Sequence, residues 1–121
     1  MFRKSKGKQS EDVAAQFLRQ KGLKIINKNV QTRFGEIDIV ALDRNTIVFV
    51  EVRSVYGSRF GDPAESINFR KKKRILTSAM MYLKLNPDYQ NLPVRFDFVG
   101  IRWTKDKPEI KWVRSAFDGL D

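Results

Sequence analysis

The 121-residue chain contains no cysteine and no histidine. Without cysteine, disulfides and thiolate metal sites are excluded. The absence of both residues also excludes zinc sites built on them, Ser-His-Asp and Cys-His triads, and nuclease schemes in which imidazole is the general base. A metal ion in this protein must therefore be bound by oxygen ligands, which favours Mg²⁺ or Mn²⁺.

Long apolar runs are missing as well. No stretch of the chain approaches the roughly 20 apolar residues that a membrane-spanning helix requires. Residues 1–8 are basic but are not followed by an apolar core, so they do not resemble a signal peptide. We therefore expect a cytoplasmic protein with no membrane partner.

Positive charge is abundant. The chain has 24 Lys and Arg residues against 14 Asp and Glu residues, a formal net charge of +10. This excess favours an acidic polymer as partner, most often nucleic acid. The length suits one domain over residues 1–121. Residues 1–9 are predicted to be a flexible basic arm, which is either a plain disordered terminus or a phosphate-contacting tail; its cations are Arg3, Lys4, Lys6 and Lys8.

A hairpin over residues 35–42 and 47–53 is the strongest local pattern, because two β-branched apolar runs flank a polar turn. If Leu42 faces Ile47, Asp38 lies opposite Glu51. Both faces are mostly apolar, which predicts a central place in a sheet covered on both sides. One predicted face carries Glu36, Asp38, Val40, Leu42, Ile47, Phe49, Glu51 and Arg53, and the other carries Ile37, Ile39, Ala41, Val48, Val50 and Val52.

The charged end of this hairpin has two interpretations. In the first, Glu36 and Arg53 form a structural ion pair and one carboxylate is left half solvated. In the second, Asp38 and Glu51 share a divalent cation, since opposed carboxylates this close cannot both ionise without one. The pairing of two acids favours the metal interpretation.

The flanking sequence predicts two helices and three further strands. Ser10 is the predicted N-cap of the first helix and Gly22 follows its end, while Asp62 is the predicted N-cap of the second, with Asn68 as an alternative start. The resulting fold class is α/β, a mixed central sheet of about five strands flanked by helices. The predicted elements are helices over 10–21 and 62–85 and strands over 23–30, 94–101 and 110–113.

Five consecutive cations lie inside the second predicted helix: Arg70, Lys71, Lys72, Lys73 and Arg74. Like charges on all sides of a helix repel one another. The run is either a solvated face or a surface for phosphates, which would relieve the repulsion. We favour nucleic-acid binding.

Asp38, twelve intervening residues and Glu51-Val52-Arg53 form the pattern D-x12-E-x-K/R. This pattern resembles the signature of the PD-(D/E)XK nuclease superfamily. The chain as a whole resembles the YraN-like uncharacterised family, which is similar to archaeal Holliday junction resolvases. The matching positions are Gly7, Glu11, Ala15, Leu18, Gly22, Asn29, Gly35-Glu36-Ile37-Asp38, Phe49-Val50-Glu51-Val52-Arg53, Phe60-Gly61, Ser66, Lys71, Ala79, Tyr82-Leu83 and Arg95-Phe96-Asp97.

The resemblance implies a restriction-endonuclease-like core and a Mg²⁺-dependent (or Mn²⁺-dependent) endonuclease acting on structured or branched DNA. It implies that Asp38 and Glu51 hold the metal and that Glu11 completes the site. Arg53 stands where the superfamily usually has Lys, and arginine cannot act as a base. Lys71 is a substitute if its helix docks over the site.

Two alternatives accompany this interpretation. The chain is either an active resolvase-like enzyme, for which the resemblance allows a homodimer, or a catalytically inactive nucleic-acid-binding module that retains the nuclease fold. A metal-dependent cleavage assay separates them.

Overall fold

The computed structural model describes residues 6–55 and 68–117. The elements, in chain order, are helix α1 (Lys6–Gln20), strands β1 (Lys24–Thr32), β2 (Gly35–Asp43) and β3 (Thr46–Val55), helix α2 (Phe69–Leu85), a 3-10 turn (Pro87–Tyr89), and strands β4 (Val94–Arg102) and β5 (Glu109–Val113). Among these residues no helix has the length and apolar character needed to cross a bilayer.

The five strands form one sheet in the order β1-β2-β3-β4-β5. Neighbouring strands are antiparallel except β3 and β4, which are parallel because the chain passes through α2 between them. The predicted fold class, a mixed central sheet of about five strands flanked by helices, is confirmed.

The two helices cover opposite faces of this sheet. Ala14 and Leu18 of α1 pack against a cluster that contains Val48. Ile75 and Tyr82 of α2 belong to a second cluster on the other face. Strands β2 and β3 are therefore buried on both sides, as the apolar character of both faces of the hairpin predicts.

The hairpin has the predicted register, with Leu42 opposite Ile47. Its ladder stops at the pair Ile39 and Val50, so Asp38 and Glu51 are not a ladder pair. Instead, the Val52 N–H donates a 2.8 Å hydrogen bond to the Asp38 carboxylate. The two strands separate at their charged end because a side chain has replaced the backbone acceptor there. The predicted pairing of Glu36 with Arg53 is wrong for the same reason.

The alternation of β2 also breaks at this point. Ile37 packs in the cluster on the α2 side, whereas Ile39 packs on the α1 side. Residues two apart in a regular strand share a face, so the prediction that Ile37 and Ile39 do so is wrong. Asn29 on the adjacent strand has a φ of +56°, between the pairs that Lys28 and Val30 form with β2. The irregularity therefore involves both strands beside Asp38.

Helix α1 begins four residues earlier than predicted. Ser10 is not its N-cap but lies inside the helix, 1% exposed. Its hydroxyl bonds to Ser54 Oγ and accepts from Trp103 Nε1 at 3.0 Å, so it is committed to tertiary contacts. Residues 6–9, which are included in the predicted flexible arm, belong to helix α1. Arg3 and Lys4 lie outside the described residues.

Two other predicted helix boundaries, at Gly22 and at Asn68, are confirmed. Gly22 follows α1 with a φ of +97°, its N–H bonds to the Arg19 carbonyl, and the Leu23 N–H bonds to the Leu18 carbonyl. This is the Schellman arrangement, for which glycine is favoured. Asn68 caps α2, since its side chain accepts a 2.9 Å hydrogen bond from the Lys71 N–H. The predicted start at Asp62 lies outside the described residues.

Candidate metal and nucleic-acid site

Asp38 lies where β2 and β3 separate, and its surroundings disfavour a negative charge. Burial first, and the charge of Glu51 second, raise the pKa of Asp38 to about 8. The hydrogen bond from the Val52 N–H opposes this rise but does not cancel it. Near neutral pH and without a cation, this carboxyl group therefore tends to keep its proton.

Two more acids lie beside Asp38. Carboxylate oxygens of Glu11, Glu36 and Asp38 all lie within 4.8 Å of one another. Glu11 comes from α1, whereas the other two come from β2, so the first helix and the sheet meet at this cluster. The structure therefore brings together two of the three predicted metal ligands, Asp38 and Glu11, and adds Glu36.

Glu11 is poorly satisfied by the protein itself. Its Oε1 atom is buried and has no hydrogen-bond partner within the described part of the chain. Burial and the charge of Glu36 raise the pKa of Glu11, while a hydrogen bond from the Asn29 side chain lowers it. A buried carboxylate oxygen without a donor is costly unless a cation or water satisfies it.

These three acids could hold a metal ion. The donor set consists of carboxylate oxygens alone, which suits hard divalent cations. A cation would also remove the mutual repulsion of the acids and provide a partner for the buried oxygen of Glu11. The residues present thus fit an oxygen-bound metal.

Glu51, the third predicted ligand, has a different partner. Its Oε1 atom lies 2.7 Å from Lys71 Nζ, and both side chains are largely shielded from solvent. Helix α2 therefore docks over the acidic end of the sheet, which the role considered for Lys71 requires. Asp38, Glu51 and Lys71 line one cavity of about 290 Å³, together with Glu36 and Arg74.

Arg53 does not line this cavity. It lies on β3 opposite Gly100 of β4. Over residues 6–55 and 68–117 it forms no ion pair, so the predicted pair with Glu36 is not made. Lys71, which comes from another element, pairs with one of the acids, Glu51.

The five-cation run occupies the first turns of α2. Lys71 is bound to Glu51, and Lys72 Nζ lies 5.8 Å from the centroid of the Phe117 ring. Arg70, Lys73 and Arg74 are exposed. The first turn contains no acid, so the run adds to the positive end of the helix macrodipole. This end of α2 strongly favours anions.

The remaining predicted basic residues are at the start of the chain. Lys6 belongs to the first turn of α1 and Lys8 is exposed on that helix. The charge of Lys8 lowers the pKa of Glu11, so Lys8 lies near the acids.

Three residues of the site were not assigned to it from sequence. Glu36 was assigned to an ion pair, although it stands two residues before Asp38 in the same motif block. Asn29 carries a weak signal, since asparagine tolerates positive φ better than most residues. Ser10 holds the helical turn that carries Glu11, and nothing in its sequence context distinguishes it from a helix cap.

Together these features define an α/β protein with a candidate oxygen-ligand metal site beside a basic helix terminus. The sequence model of "Uncharacterised protein family UPF0102" matches residues 10–101, and the chain belongs to that family. The predicted YraN-like family membership is confirmed.

Relatives support this membership over nearly the whole chain. A UPF0102 protein of Nitrosococcus oceani is 41% identical over 94% of this chain and 92% of its own length. One from Persephonella marina is 43% identical over 98% and 97%. Among solved structures, SfsA of Pyrococcus furiosus in complex with Ca²⁺ is similar with a TM-score of 0.41 and 15% identity, over 89% of this chain. The chain spans 62% of that protein's length.

Proposed function

We propose that this protein is a Mg²⁺- or Mn²⁺-dependent endonuclease that hydrolyses phosphodiester bonds in structured or branched DNA, as resolvases do. One observation carries the proposal: Glu11, Glu36 and Asp38 converge within 4.8 Å, directly beside a basic helix terminus. Acids that gather a divalent cation and cations that gather phosphates are the two requirements of this chemistry.

Glu11, Glu36 and Asp38 would hold the metal, with Glu51 next to them. A bound divalent ion supplies Lewis acidity, which activates water and neutralises charge on the scissile phosphate. Since Asp38 has a pKa of about 8, its proton must leave when the metal binds. Metal affinity should therefore rise with pH up to about 8.

Lys71 supplies the positive charge that Arg53 does not bring to the cavity. Its ammonium group lies 2.7 Å from Glu51, at a cavity that also exposes Asp38. A cation held in this position can stabilise the charge that develops on the phosphate in the transition state. Arg53 remains protonated throughout, so it cannot act as a general base.

The basic terminus of α2 would bind the DNA backbone without reading sequence. Its exposed Arg74 lines the acidic cavity and would bring a phosphate toward it. In this proposal the active form is a homodimer, because cutting both strands of a branched DNA requires two sites. We expect it to act in the cytoplasm.

A second candidate function is a nucleic-acid-binding module without catalysis. The ion pair between Lys71 and Glu51 favours it, because that pair neutralises one acid internally. Arg53 in place of the usual lysine favours it too. Such a module would bind DNA equally well with and without a divalent ion.

Titration calorimetry with Mn²⁺ and a cleavage assay on branched DNA test the proposal. Wild-type protein should bind Mn²⁺ and cleave, and Mn²⁺ at about 100 times its Kd should raise the free energy of unfolding by about 2.7 kcal/mol. Asp38→Ala should lose both activities and keep salt-sensitive DNA binding.

Asp88→Asn is the matched control, because Asp88 is an exposed acid in the 3-10 turn. It should behave as wild type. Wild-type protein that binds Mn²⁺ no better than Asp38→Ala and cleaves no DNA would refute the nuclease. If such wild-type protein still binds DNA, the function is that of the non-catalytic binding module.

A further inference from the structure

A second charged cleft lies at the opposite end of the sheet from the acids. It encloses about 750 Å³ between the β2–β3 turn, the end of α1 and the segment after β5. Among the described residues, four cationic side chains line it, Lys21, Arg44, Arg95 and Arg114, against one carboxylate, that of Asp43. This lining has a formal charge of +3, which favours an anionic ligand.

Two of these cations are held in fixed positions. The Asp43 carboxylate accepts hydrogen bonds from Arg95 Nη1 at 2.9 Å and from Arg114 Nη2 at 2.8 Å. Behind them, the fully buried Asp97 accepts from Arg95 Nε at 2.9 Å and Nη2 at 3.1 Å. The two guanidinium groups are therefore preorganised rather than free to swing.

Two residues at the cleft adopt backbone conformations that L-residues rarely adopt. Arg44, in the β2–β3 turn, has a φ of +58°. Ser115, directly after Arg114, has a φ of +51°, and its N–H donates to Asp97 Oδ1 at 3.0 Å. Glycine or asparagine would adopt the Arg44 conformation at lower cost. The hairpin turn requires this conformation, and an exposed arginine kept there adds to the case for a binding role of the cleft.

We propose that this cleft binds phosphate groups of the nucleic-acid backbone, as a second contact remote from the acidic cluster. The identity of the polyanion rests on the proposed function. Glu11 on α1 and Lys21, directly after the end of α1, are ten positions apart, which is about 15 Å along the helix axis. Asp38 and Asp43 are five positions apart on β2, which is about 17 Å. One strand spans that distance with about five phosphates.

The surface of α1 between the two sites does not repel such a strand. Its exposed residues are Gln16, Arg19 and Gln20. The carboxylate of Asp12 is paired with Lys28 at 2.8 Å. Among the described residues, the backbone can therefore follow α1 from the acids to the cleft without meeting an uncompensated negative charge.

Fluorescence anisotropy with a DNA duplex longer than about ten base pairs, over a range of salt concentrations, tests this contact. The double variant Lys21→Gln, Arg44→Gln should bind roughly tenfold more weakly than wild type near 0.1 M salt, and its log–log salt slope should fall by about 2. The control, Lys84→Gln, Lys111→Gln, removes the same charge from exposed residues outside the cleft and should change both quantities much less.

A single variant, Arg44→Gly, separates binding from stability. It should weaken DNA binding and at the same time raise the melting temperature, because glycine relieves the strain. Mn²⁺ binding should be unchanged in all cleft variants. If the cleft variants bind DNA more weakly but wild type does not bind Mn²⁺, the cleft proposal is supported and the proposed nuclease function is refuted.

The contact is refuted if the cleft double variant and its control bind DNA alike with equal salt slopes. It is also refuted if poly-glutamate binds wild type as tightly as DNA and loses as much affinity in the cleft variant. In that second case the cleft would be a binding site for acidic polypeptides.

Discussion

The two ends of strand β2 hold similar residues in opposite electrostatic states. At one end, burial and neighbouring acids raise the pKa of Asp38 to about 8. At the other end, hydrogen bonding from Arg95 lowers the pKa of Asp43. Asp97, on the same satisfied end, is fully buried yet accepts four hydrogen bonds, from Arg95, Trp112 and Ser115. Burial of a carboxylate is therefore costly only where the protein supplies too few hydrogen-bond donors or cations to compensate its charge.

The comparison separates carboxylates that the protein itself satisfies from carboxylates that are prepared for a cation. The Asp43 carboxylate is neutralised by the protein's own guanidinium groups, whereas the Asp38 end gathers carboxylates and leaves a buried oxygen of Glu11 without a partner among the described residues. The first arrangement stabilises the fold. The second lowers its stability unless a cation binds, which is the usual relation between stability and function at a site.

Breaking the satisfied end should have the largest effect. Asp97→Ala leaves Arg95 without its buried partner and should lower the free energy of unfolding by about 3–5 kcal/mol. Urea denaturation measures this loss. Asp106→Ala, which removes an exposed acid, is the control and should change stability by less than about 0.5 kcal/mol. A loss from Asp97→Ala as small as that of the control would mean that the network does not stabilise the fold.

Removing the charge of Asp38 should raise the free energy of unfolding, whereas removing Asp97 should lower it. In the folded protein the Asp38 pKa is about 8, against about 3.9 in the unfolded chain. Between these values the unfolded chain releases its proton first, so the metal-free wild type should lose stability as pH rises from about 4 to about 8.

Asp38→Asn keeps the acceptor for the Val52 N–H and removes the charge. In chelator it should be at least about 2 kcal/mol more stable than wild type at pH 8, with no difference at pH 4. Urea denaturation at the two pH values measures this. Equal stability at pH 8 would show that the acids do not repel in solution as the structure implies.

Loosening the link between the helix and the acids should have the smallest effect. Ser10→Ala removes the hydroxyl that bonds to Ser54 and leaves the Trp103 N–H without that acceptor. We expect a loss of about 1–2 kcal/mol in unfolding free energy, together with weaker Mn²⁺ binding because Glu11 is less firmly placed. Gln16→Ala, on the exposed side of the same helix, should change neither quantity.

Local rules predicted those parts of the fold that neighbouring residues determine. The turn between residues 42 and 47 fixes the hairpin register, and Gly22 and Asn68 stand where helix-end chemistry requires them. The two apolar faces of the hairpin predicted its central place, because burial on both sides needs apolar residues on both sides.

Local rules failed beside Asp38. The predicted side of the sheet for Ile37 is wrong because the strand is irregular there. The predicted ion pair between Glu36 and Arg53 requires a regular ladder past Ile39, and the ladder stops at that residue. The sequence predicts Ser10 to be a cap because its tertiary partners, Ser54 and Trp103, are distant in sequence. Strand and helix patterns often become irregular at functional sites, where charged side chains are held in unfavourable surroundings. The wrong predictions therefore lie at the candidate site.

The parallel pairing of β3 with β4 has a consequence for how the chain folds. It joins Ile47 to Val94, whereas β1, β2 and β3 meet through short turns. Contacts between distant residues form late, since closing the long loop costs entropy before the contacts stabilise it. We therefore expect the three-stranded meander, with its acids, to assemble before α2 delivers Lys71 to Glu51. The last step of folding is then the one that turns a cluster of like charges into an ion-paired site.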